Sequence, residues 1–365
     1  MGSSHYYNPV RVHFGSGAIA RLPSELADEK AVLITFDGAR PLGLPDRIID
    51  QCNGRIAEVI DCVQPNPDVL DLDGLYRDFW QRYPGCENII ALGGGSVLDT
   101  AKVLMVGTRS GSFDELLALL DKGAPFRPSR VKRLITIPTT AGTGSEVTPW
   151  ATVWDRTINH KKYSLHLDQT WPYAAIVDPE LTHSLPASVT LQSGLDALSH
   201  SLEAIWNLNA NPISDMFAVA AAREMIEILP LLLGDLSDPG LRERASLAAL
   251  KAGLAFSNTK TALAHSISYE MTIEHGLPHG IACSFVLPTV LQLAMGRDGA
   301  RDEVLRSVFS CSLDRAPEFL ASFIEALGVS TSFESYGVSL DQSQAMITRA
   351  MTGQRGKNFI GSLPL

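Results

Sequence analysis

The sequence lacks paired cysteines, an internal repeat and an uninterrupted apolar run of membrane-spanning length. Its five cysteines are scattered and include no C-x-x-C pair, which argues against a disulfide framework or a thiolate metal site and is typical of a reducing cytoplasm. The longest apolar stretch, Ile281–Met295, is interrupted by Pro288 and Gln292 and predicts one buried core helix. The polar N-terminal residues predict no secretion signal, so we expect a cytoplasmic protein.

Positive charge is also scarce. The chain has 30 Lys and Arg against 40 Asp and Glu, a formal net charge of −10. This excess of acid argues against nucleic acid or an anionic membrane as the main partner. With 365 residues, of which 45% are hydrophobic, the chain can form two domains with cores of their own.

The first half of the chain alternates predicted strands with predicted helices. Continuous apolar runs such as Ala31–Phe36 are typical of strands buried in a parallel sheet. The predicted strands are Val10–Phe14, Ala31–Phe36, Arg55–Ile60, Asn88–Leu92 and Leu134–Ile137, and the predicted helices are Leu70–Tyr83 and Val97–Val106. This rhythm predicts a Rossmann-like, doubly wound α/β domain over residues 1–182.

Helical periodicity dominates from about residue 183 onward. The predicted helices are Ser188–Trp206, Ile213–Leu233, Leu241–Phe256, Gly280–Met295, Arg315–Leu327 and Leu340–Met351. We therefore expect an all-α domain over residues 183–365. A cleft between the two domains would be the natural active site.

Asp196 and His200 are the first candidate metal ligands. Residues four apart on a helix point the same way, so the two side chains could hold one ion together. His265 and His279, further along, could complete an Asp/His/His/His shell suited to Fe(II), Zn(II), Mn(II) or Co(II). A surface pair or a hydrogen bond within the helix is the alternative interpretation of Asp196 and His200.

A glycine-rich stretch, Gly93–Lys102, begins where a strand meets a helix. Glycines allow backbone N–H groups to approach a pyrophosphate, and a helix N-terminus adds partial positive charge. The spacing is not G-x-G-x-x-G, and an ordinary glycine turn capped by Ser96 is the alternative. Asp99 either anchors this loop or is an acid favoured by the helix dipole.

Two further features follow strands of the first half. Pro138–Thr148 is rich in hydroxyls and glycines and could wrap a phosphate or a nicotinamide ribose. Asp37, directly after Ala31–Phe36, could accept hydrogen bonds from an adenosine ribose, which favours NAD over NADP. The alternative for Asp37 is a turn-forming role before Gly38.

Together these motifs resemble the iron-containing (group III) alcohol dehydrogenase family. The likeness extends from Pro9 to at least Gly280 and rests on Gly93–Lys102, Pro138–Thr148, Asp178–Thr182 and the Asp196/His200/His265/His279 set. The resemblance implies a dehydroquinate synthase-like fold with an N-terminal NAD-binding α/β domain and an all-α, metal- and substrate-binding C-terminal domain. It also implies NAD(H) and Fe(II), or another divalent ion such as Zn(II), as cofactors.

The resemblance also implies roles for individual residues. The implied metal ligands are Asp196, His200, His265 and His279. The residues implied to hold the pyrophosphate are Gly94, Gly95 and Ser96, and those implied to line the cofactor are Asp99, Thr139, Thr140, Thr143 and Ser145. Lys162 matches a family lysine near the cofactor, although a solvated basic turn is an equal alternative.

The chain departs from the family pattern at the proton relay. Many alcohol-reducing members carry a histidine four residues after the third metal ligand, where this chain has Tyr269. A tyrosine can donate a proton, with an ordinary pKa near 10. His275, four residues before His279, is the other candidate. Packing is the alternative for both.

The C-terminal residues Arg355, Lys357 and Asn358 offer two cations and an amide that could bind a phosphonate or phosphate tail. This feature resembles the phosphonoacetaldehyde reductase (2-hydroxyethylphosphonate dehydrogenase) branch. A solvated basic C-terminus is the alternative.

We therefore expect a metal-dependent, NAD(H)-linked alcohol dehydrogenase or aldehyde reductase that acts on a small alcohol or aldehyde as a homodimer. The resemblance to the phosphonoacetaldehyde reductase branch suggests a substrate that bears a phosphonate. The alternatives within the superfamily are a glycerol-type dehydrogenase and a maleylacetate-type reductase. A metal hydrolase and a non-catalytic NAD-binding protein are the alternatives from other classes. Activity should fall on acidification, because metal ligation requires neutral imidazoles.

Overall fold

The computed structural model describes residues 4–26, 28–157 and 161–362. They form two compact units. The sheet unit comprises Pro9–Thr140 and Ser145–Ser184. The helical unit comprises residues 4–8, Ala141–Gly144 and residues 185–362.

The sheet unit is built on six parallel strands in the order β1-β10-β7-β4-β2-β3. Two antiparallel pairs, β5–β6 and β8–β9, accompany it. The strands are β1 Arg11–Phe14, β2 Ala31–Phe36, β3 Ile56–Val63, β4 Asn88–Gly93, β5 Val106–Gly107, β6 Arg130–Val131, β7 Arg133–Pro138, β8 Trp150–Asp155, β9 Lys161–His166 and β10 Ala174–Val177.

Both faces of this sheet are covered, because alternate residues of the central strands enter different cores. Val32 and Ile34 pack in one hydrophobic cluster and Leu33 in the other. The unbroken apolar runs of β2 and β4 are the consequence of this double burial. The helices of the unit are α1 Leu22–Leu26, α2 Leu44–Gln51, α3 Val69–Arg82, α4 Gly95–Met105 and α5 Asp114–Lys122.

The helical unit contains α6 Ala187–Ile205, α7 Pro212–Gly234, α8 Pro239–Thr259, α9 Leu263–Ile273, α10 His279–Ser284, α11 Leu287–Ala294, α12 Gly299–Arg306, α13 Ala316–Ala326 and α14 Leu340–Thr352. Local sequence signals set several of these ends. Asn211 caps α7 in a reciprocal capping box with Ser214, and Ser339 does the same for α14 with Gln342. None of the described helices has the length and apolarity of a membrane span.

The predicted architecture, a Rossmann-like sheet domain plus an all-helical part, is confirmed. One predicted helix, Gly280–Met295, is wrong in detail, because the chain forms α10 and α11 with a break at Phe285 and Val286. Pro288 at the start of α11 lacks the N–H that a continuous helix would need, which explains the break. The hairpin β8–β9 and helix α9 were not predicted.

A buried lysine braces the glycine-rich stretch. Lys102 of α4 is fully buried, and its Nζ donates to the carbonyl oxygens of Ser145 and Trp150 and to Ser145 Oγ, each at 2.7 Å. Asp99, one turn earlier, accepts from Ser145 Oγ at 2.7 Å and from the Thr152 N–H at 2.8 Å. Helix α4 is thereby tied to the segment that follows β7.

Two glycine substitutions test this local packing. A Cβ at Gly93, the last residue of β4, would lie 2.5 Å from Val97 Cγ2, so Gly93→Ala should lower the free energy of unfolding by about 1–3 kcal/mol. A Cβ at Gly74, in the middle of α3, would meet nothing within 4 Å. Gly74→Ala should raise the free energy of unfolding by about 0.5–1 kcal/mol. Urea unfolding of the two variants measures both changes, and equal effects would contradict the packing described.

Candidate metal and dinucleotide sites

One carboxylate oxygen lies at the centre of the candidate metal site. Asp196 Oδ1 is 3.8 Å from His200 Nε2, 3.4 Å from His265 Nε2 and 3.8 Å from His279 Nε2. The structure therefore brings together all four residues that the sequence marked, from α6, α9 and α10. Asp196, His200 and His265 are buried, while the side chain of His279 is 31% exposed.

The separations fit a metal coordination sphere. Two ligands that each lie about 2.1 Å from a tetrahedral ion are about 3.4 Å apart. The three distances to Asp196 Oδ1, 3.4–3.8 Å, equal this value or exceed it by up to 0.4 Å. His265 Nε2 is buried yet lies without hydrogen-bonding geometry toward any described residue, as expected of a ligand atom. The donor set fits a divalent ion.

Burial and neighbouring charges set the protonation states of the candidate metal ligands. Desolvation lowers the pKa of His200 to about 4, so its imidazole is neutral at physiological pH. The pKa of Asp196 is well below its usual range, since the surrounding imidazoles outweigh the effect of burial. For His265, burial lowers the pKa, but the carboxylates of Glu203 and Asp196 outweigh it and raise the value.

Glu203 is a functional candidate that the sequence analysis missed. Its fully buried carboxylate contacts His265 Nδ1 at 2.7 Å and accepts three backbone N–H groups around the start of α9. The signal that could have found it is its spacing, since Glu203 follows His200 by three residues on the helix that carries Asp196.

The cysteine pattern of the sequence argued against a thiolate metal site, but Cys283 belongs to the same cluster. The ligand atoms of Asp196, His265, His279 and Cys283 all lie within 4.8 Å of one another. Cys283 Sγ is 3.3 Å from Asp196 Oδ1, and burial raises the pKa of its thiol well above the ordinary value. The S–H thus donates to the carboxylate. The sequence signal that could have placed Cys283 in this cluster is its spacing, four residues after His279.

Two glycines allow neighbouring backbone to approach α6 just before its ligands, and a third, on α6 itself, makes room for a side chain of α7. A Cβ at Gly142 would lie 2.5 Å from the Ser193 carbonyl oxygen, and a Cβ at Gly280 would lie 2.0 Å from that of Gln192. At Gly194 a Cβ would meet Leu229 Cδ1 at 2.6 Å. Neighbouring segments of the helical unit therefore pack closely against the turn of α6 at Gln192–Gly194.

The candidate dinucleotide site lies at the carboxyl edge of the sheet. Strands β2, β4 and β7 are neighbours in register, with Thr35 beside Leu92 and Gly93 beside Pro138. They therefore present Asp37, Gly94 and Thr139 side by side. The strand order changes direction between β2 and β4, and such a switch point at the carboxyl ends is where open α/β sheets bind ligands.

Helix α4 begins at Gly95, directly after Gly94, which provides no side-chain cap. The first N–H groups of a helix have no partner within it, and they favour an anion. A Cβ at Gly94 would meet Thr140 at 3.3 Å, so the glycine loop and the hydroxyl-rich loop touch here. Ser96 Oγ accepts from the Asn66 N–H at 3.0 Å, which anchors the loop.

The other predicted cofactor residues lie in different environments. Asp37 is exposed at the edge of the sheet. Asp99 and Ser145 are hydrogen-bonded to each other, as described above. Lys162 of β9 lies over the Trp154 ring at 4.8 Å from its centroid. Thr143 belongs to the segment Ala141–Gly144, which is part of the helical unit.

The candidate substrate and proton-relay residues lie around α9. Arg355 donates to Thr261 Oγ1, and its guanidinium lies 5.3 Å from the centroid of the Tyr269 ring. Asn358 Nδ2 donates to the Thr261 carbonyl oxygen at 2.9 Å, whereas Lys357 is exposed.

Burial raises the pKa of Tyr269 to about 12, so its phenol stays protonated at neutral pH. Tyr269 follows His265 by one turn of α9, which places both on one face of the helix. His275 is half-buried in the segment between α9 and α10.

Two family models match almost the whole chain. The model of iron-containing alcohol dehydrogenases matches residues 9–179, and the C-terminal model of the Fe-containing alcohol dehydrogenase family matches residues 190–360. The candidate dinucleotide residues fall in the first match and the candidate metal ligands in the second.

Individual relatives agree with these matches. A choline dehydrogenase of Bacillus subtilis (strain 168) is 31% identical over 363 residues, which cover 94% of this chain and 88% of that protein. A probable alcohol dehydrogenase, EutG, of Escherichia coli (strain K12) is 38% identical over 211 residues. This match covers 58% of the chain and only 52% of EutG, so the chain spans about half of that relative.

Among solved structures, a sulfoacetaldehyde reductase from Bifidobacterium kashiwanohense, crystallised with NAD+, superposes with a TM-score of 0.89. The sequence identity is 28%, and the superposition covers 98% of this chain and 95% of that one.

Metal binding should stabilise the protein measurably. If the four ligands hold an ion, Zn(II) at a thousandfold excess over its Kd should add about 4 kcal/mol to the free energy of unfolding. We expect a chelator-reversible rise in Tm that His200→Ala abolishes and that His183→Ala, a change at an exposed histidine, preserves. The same Tm with and without Zn(II) in the unmodified protein would contradict the site.

Proposed function

Because the chain belongs to the iron-containing alcohol dehydrogenase family, we propose that it interconverts an alcohol and an aldehyde with NAD(H) and a divalent metal ion. The observation that carries this proposal is the convergence of three imidazole Nε2 atoms within 3.8 Å of Asp196 Oδ1. A hydrolase could use such a metal site, but it would need no dinucleotide site at the sheet edge.

Asp196, His200, His265 and His279 would hold the ion, which we propose to be Fe(II). When bound, such an ion polarises a carbonyl group and stabilises developing negative charge on its oxygen. The residues keep the site ready for it, because burial holds His200 neutral and the neighbouring imidazoles, against the effect of burial, keep the carboxylate of Asp196 ionised.

NAD(H) would bind at the carboxyl edge of β2, β4 and β7. The N–H groups of Gly95 and Ser96, at the start of α4, would hold the pyrophosphate next to Gly94. The carboxylate of Asp37 would accept from the adenosine ribose, and Thr139 and Thr140 would line the cofactor. NAD(H) supplies the hydride, and the relative crystallised with NAD+ supports this assignment. Whether this edge and the metal ligands face one cleft stays a prediction, as do the homodimer and the cytoplasmic location.

For the substrate we propose a small aldehyde with an anionic tail, such as phosphonoacetaldehyde or sulfoacetaldehyde. Arg355 lies beside Tyr269, which follows His265 by one turn of α9, and a guanidinium can pair with a phosphonate or sulfonate tail. The similarity to a sulfoacetaldehyde reductase supports this class. The similarity to a choline dehydrogenase favours the opposite, a cationic alcohol, as the second candidate.

Substrate charge is the deciding test. With NADH and Fe(II)-loaded protein, kcat/KM for phosphonoacetaldehyde or sulfoacetaldehyde should exceed that for propanal at least a hundredfold, about 2.7 kcal/mol. Arg355→Ala should remove most of this preference by raising KM for the anionic aldehydes only. Lys357→Ala is the matched control, since Lys357 is an exposed cation two residues away.

Equal kcat/KM values for the three aldehydes would indicate a general aldehyde reductase without a preference for an anionic tail. Oxidation of choline with NAD+, preferred over ethanol, would replace the anionic class by the cationic one. If Lys357→Ala removed the preference for anionic aldehydes as Arg355→Ala does, the preference would come from general surface charge rather than from Arg355.

The source of the proton can be tested separately. We propose Tyr269 as the donor, directly or by hydrogen bond, because it shares the face of α9 that carries His265. Tyr269→Phe should lower kcat for aldehyde reduction by roughly a hundredfold, the lower range for loss of a general acid. His275→Ala should have a smaller effect. The reverse order of the two kcat values would assign the role to His275.

A further inference from the structure

We infer that Glu203 is a positioning residue that fixes the tautomer and the location of His265 for metal binding. This inference rests on the proposed metal site and adds to it a residue that does not touch the ion. Four hydrogen bonds, the acceptor chemistry of a carboxylate and the position of Glu203 on α6 support it.

The two carboxylate oxygens of Glu203 are both fully engaged. Oε2 lies 2.7 Å from His265 Nδ1 and accepts from the Ala262 N–H at 2.9 Å. Oε1 accepts from the Ala264 N–H at 2.5 Å and from the His265 N–H at 3.2 Å. The side chain is completely buried, so water does not compete for these contacts.

This arrangement determines which ring nitrogen carries the proton. A carboxylate that accepts three backbone N–H groups is an acceptor at each contact, so His265 Nδ1 must donate to it. The proton on Nδ1 leaves the lone pair on Nε2, which lies 3.4 Å from Asp196 Oδ1 among the other ligand atoms. A histidine ligand oriented by a carboxylate at its other nitrogen is a recurring way to fix and strengthen a metal ligand.

The same carboxylate also links two helices. Helix α9 begins at Leu263, and its N-cap residue, Ala262, offers no side-chain cap. Glu203, on α6, acts as the cap instead, because it accepts N–H groups that the start of a helix leaves without partners. Asp196, His200 and Glu203 are spaced by four and three residues and lie on one face of α6. One face of one helix therefore supplies two ligands and positions a third.

A helix cap alone would explain the backbone contacts but not the contact with the ring. Glu203→Gln, which keeps the volume of the side chain, weakens these contacts, and its comparison in a His265→Ala background separates the two roles. A carboxamide has one oxygen and an NH₂ group that cannot accept, so one pair of the four hydrogen bonds is lost. Glu25→Gln is the matched control, because Glu25 is a buried carboxylate of the sheet unit that contacts His13 Nε2 at 2.9 Å.

The first measurement is the Kd for Zn(II) of the full chain, by competition with a chelating dye. Glu203→Gln should weaken Zn(II) binding about 10- to 100-fold, and Glu25→Gln should not change it. In a His265→Ala background, Glu203→Gln should add little further loss, because its effect passes through that ring. Equal Kd values for the unmodified protein and Glu203→Gln, or full additivity with His265→Ala, would overturn the inference.

The outcomes separate this inference from the proposed function. If the unmodified protein binds no Zn(II), the metal site itself fails. If it binds Zn(II) and Glu203→Gln binds it equally well, only the role of Glu203 fails.

A second measurement needs no change at Glu203, which matters if Glu203→Gln does not fold. In protein labelled with ¹⁵N-histidine, the His265 signals, assigned by their loss in His265→Ala, should show a protonated Nδ1 and an unprotonated Nε2 in the metal-free state, at a pH high enough for the ring to be neutral. The opposite tautomer would overturn the inference.

Discussion

The close approach of neighbouring backbone to helix α6 is the constraint on which the candidate metal site depends. Gly142 and Gly280 lie against the backbone of Ser193 and Gln192, where a Cβ would lie 2.5 and 2.0 Å from a carbonyl oxygen of α6. Ligands from α6 and α10 can meet only if the two helices come this near. Since Gly280 directly follows His279, the residue that permits the contact is also next to a ligand. The backbone therefore sets the positions of the candidate ligands before any ion binds.

This arrangement concentrates groups that do not stabilise a fold by themselves. The carboxylate of Asp196 is buried, and burying a charge is unfavourable unless partners compensate it. Its neighbours are imidazoles, of which His200 is neutral, and the weakly donating thiol of Cys283. A divalent cation would add to the compensation that the imidazoles provide. The same desolvation that makes the metal-free site costly makes it selective for an occupant of positive charge.

Much of this could be predicted from the sequence, where the signal is local. Asp196 and His200 share a helix, so their spacing predicted that they point the same way, and the unbroken apolar run of β2 predicted a strand with the bounds Ala31–Phe36 that the structure has. Glu203 and Cys283 were missed because their partners are distant in sequence: 62 residues separate Glu203 from His265, and 87 separate Cys283 from Asp196. Helix α9 was missed although it carries His265, because its cap comes from Glu203 rather than from its own sequence.

The hydroxyl-rich loop shows how one motif can carry two physical tasks. Its density of small donors favoured a ligand-binding interpretation for every member, yet Ser145 donates to Asp99 and accepts from Lys102 within the protein. Thr139 and Thr140 are differently placed, at the carboxyl edge of β7 next to Gly94. We interpret Ser145 as part of the brace, and Thr139 and Thr140 as part of the binding surface. A phosphate site formed by backbone N–H groups needs such a brace, because the groups bind an anion well only if their orientation is fixed in advance.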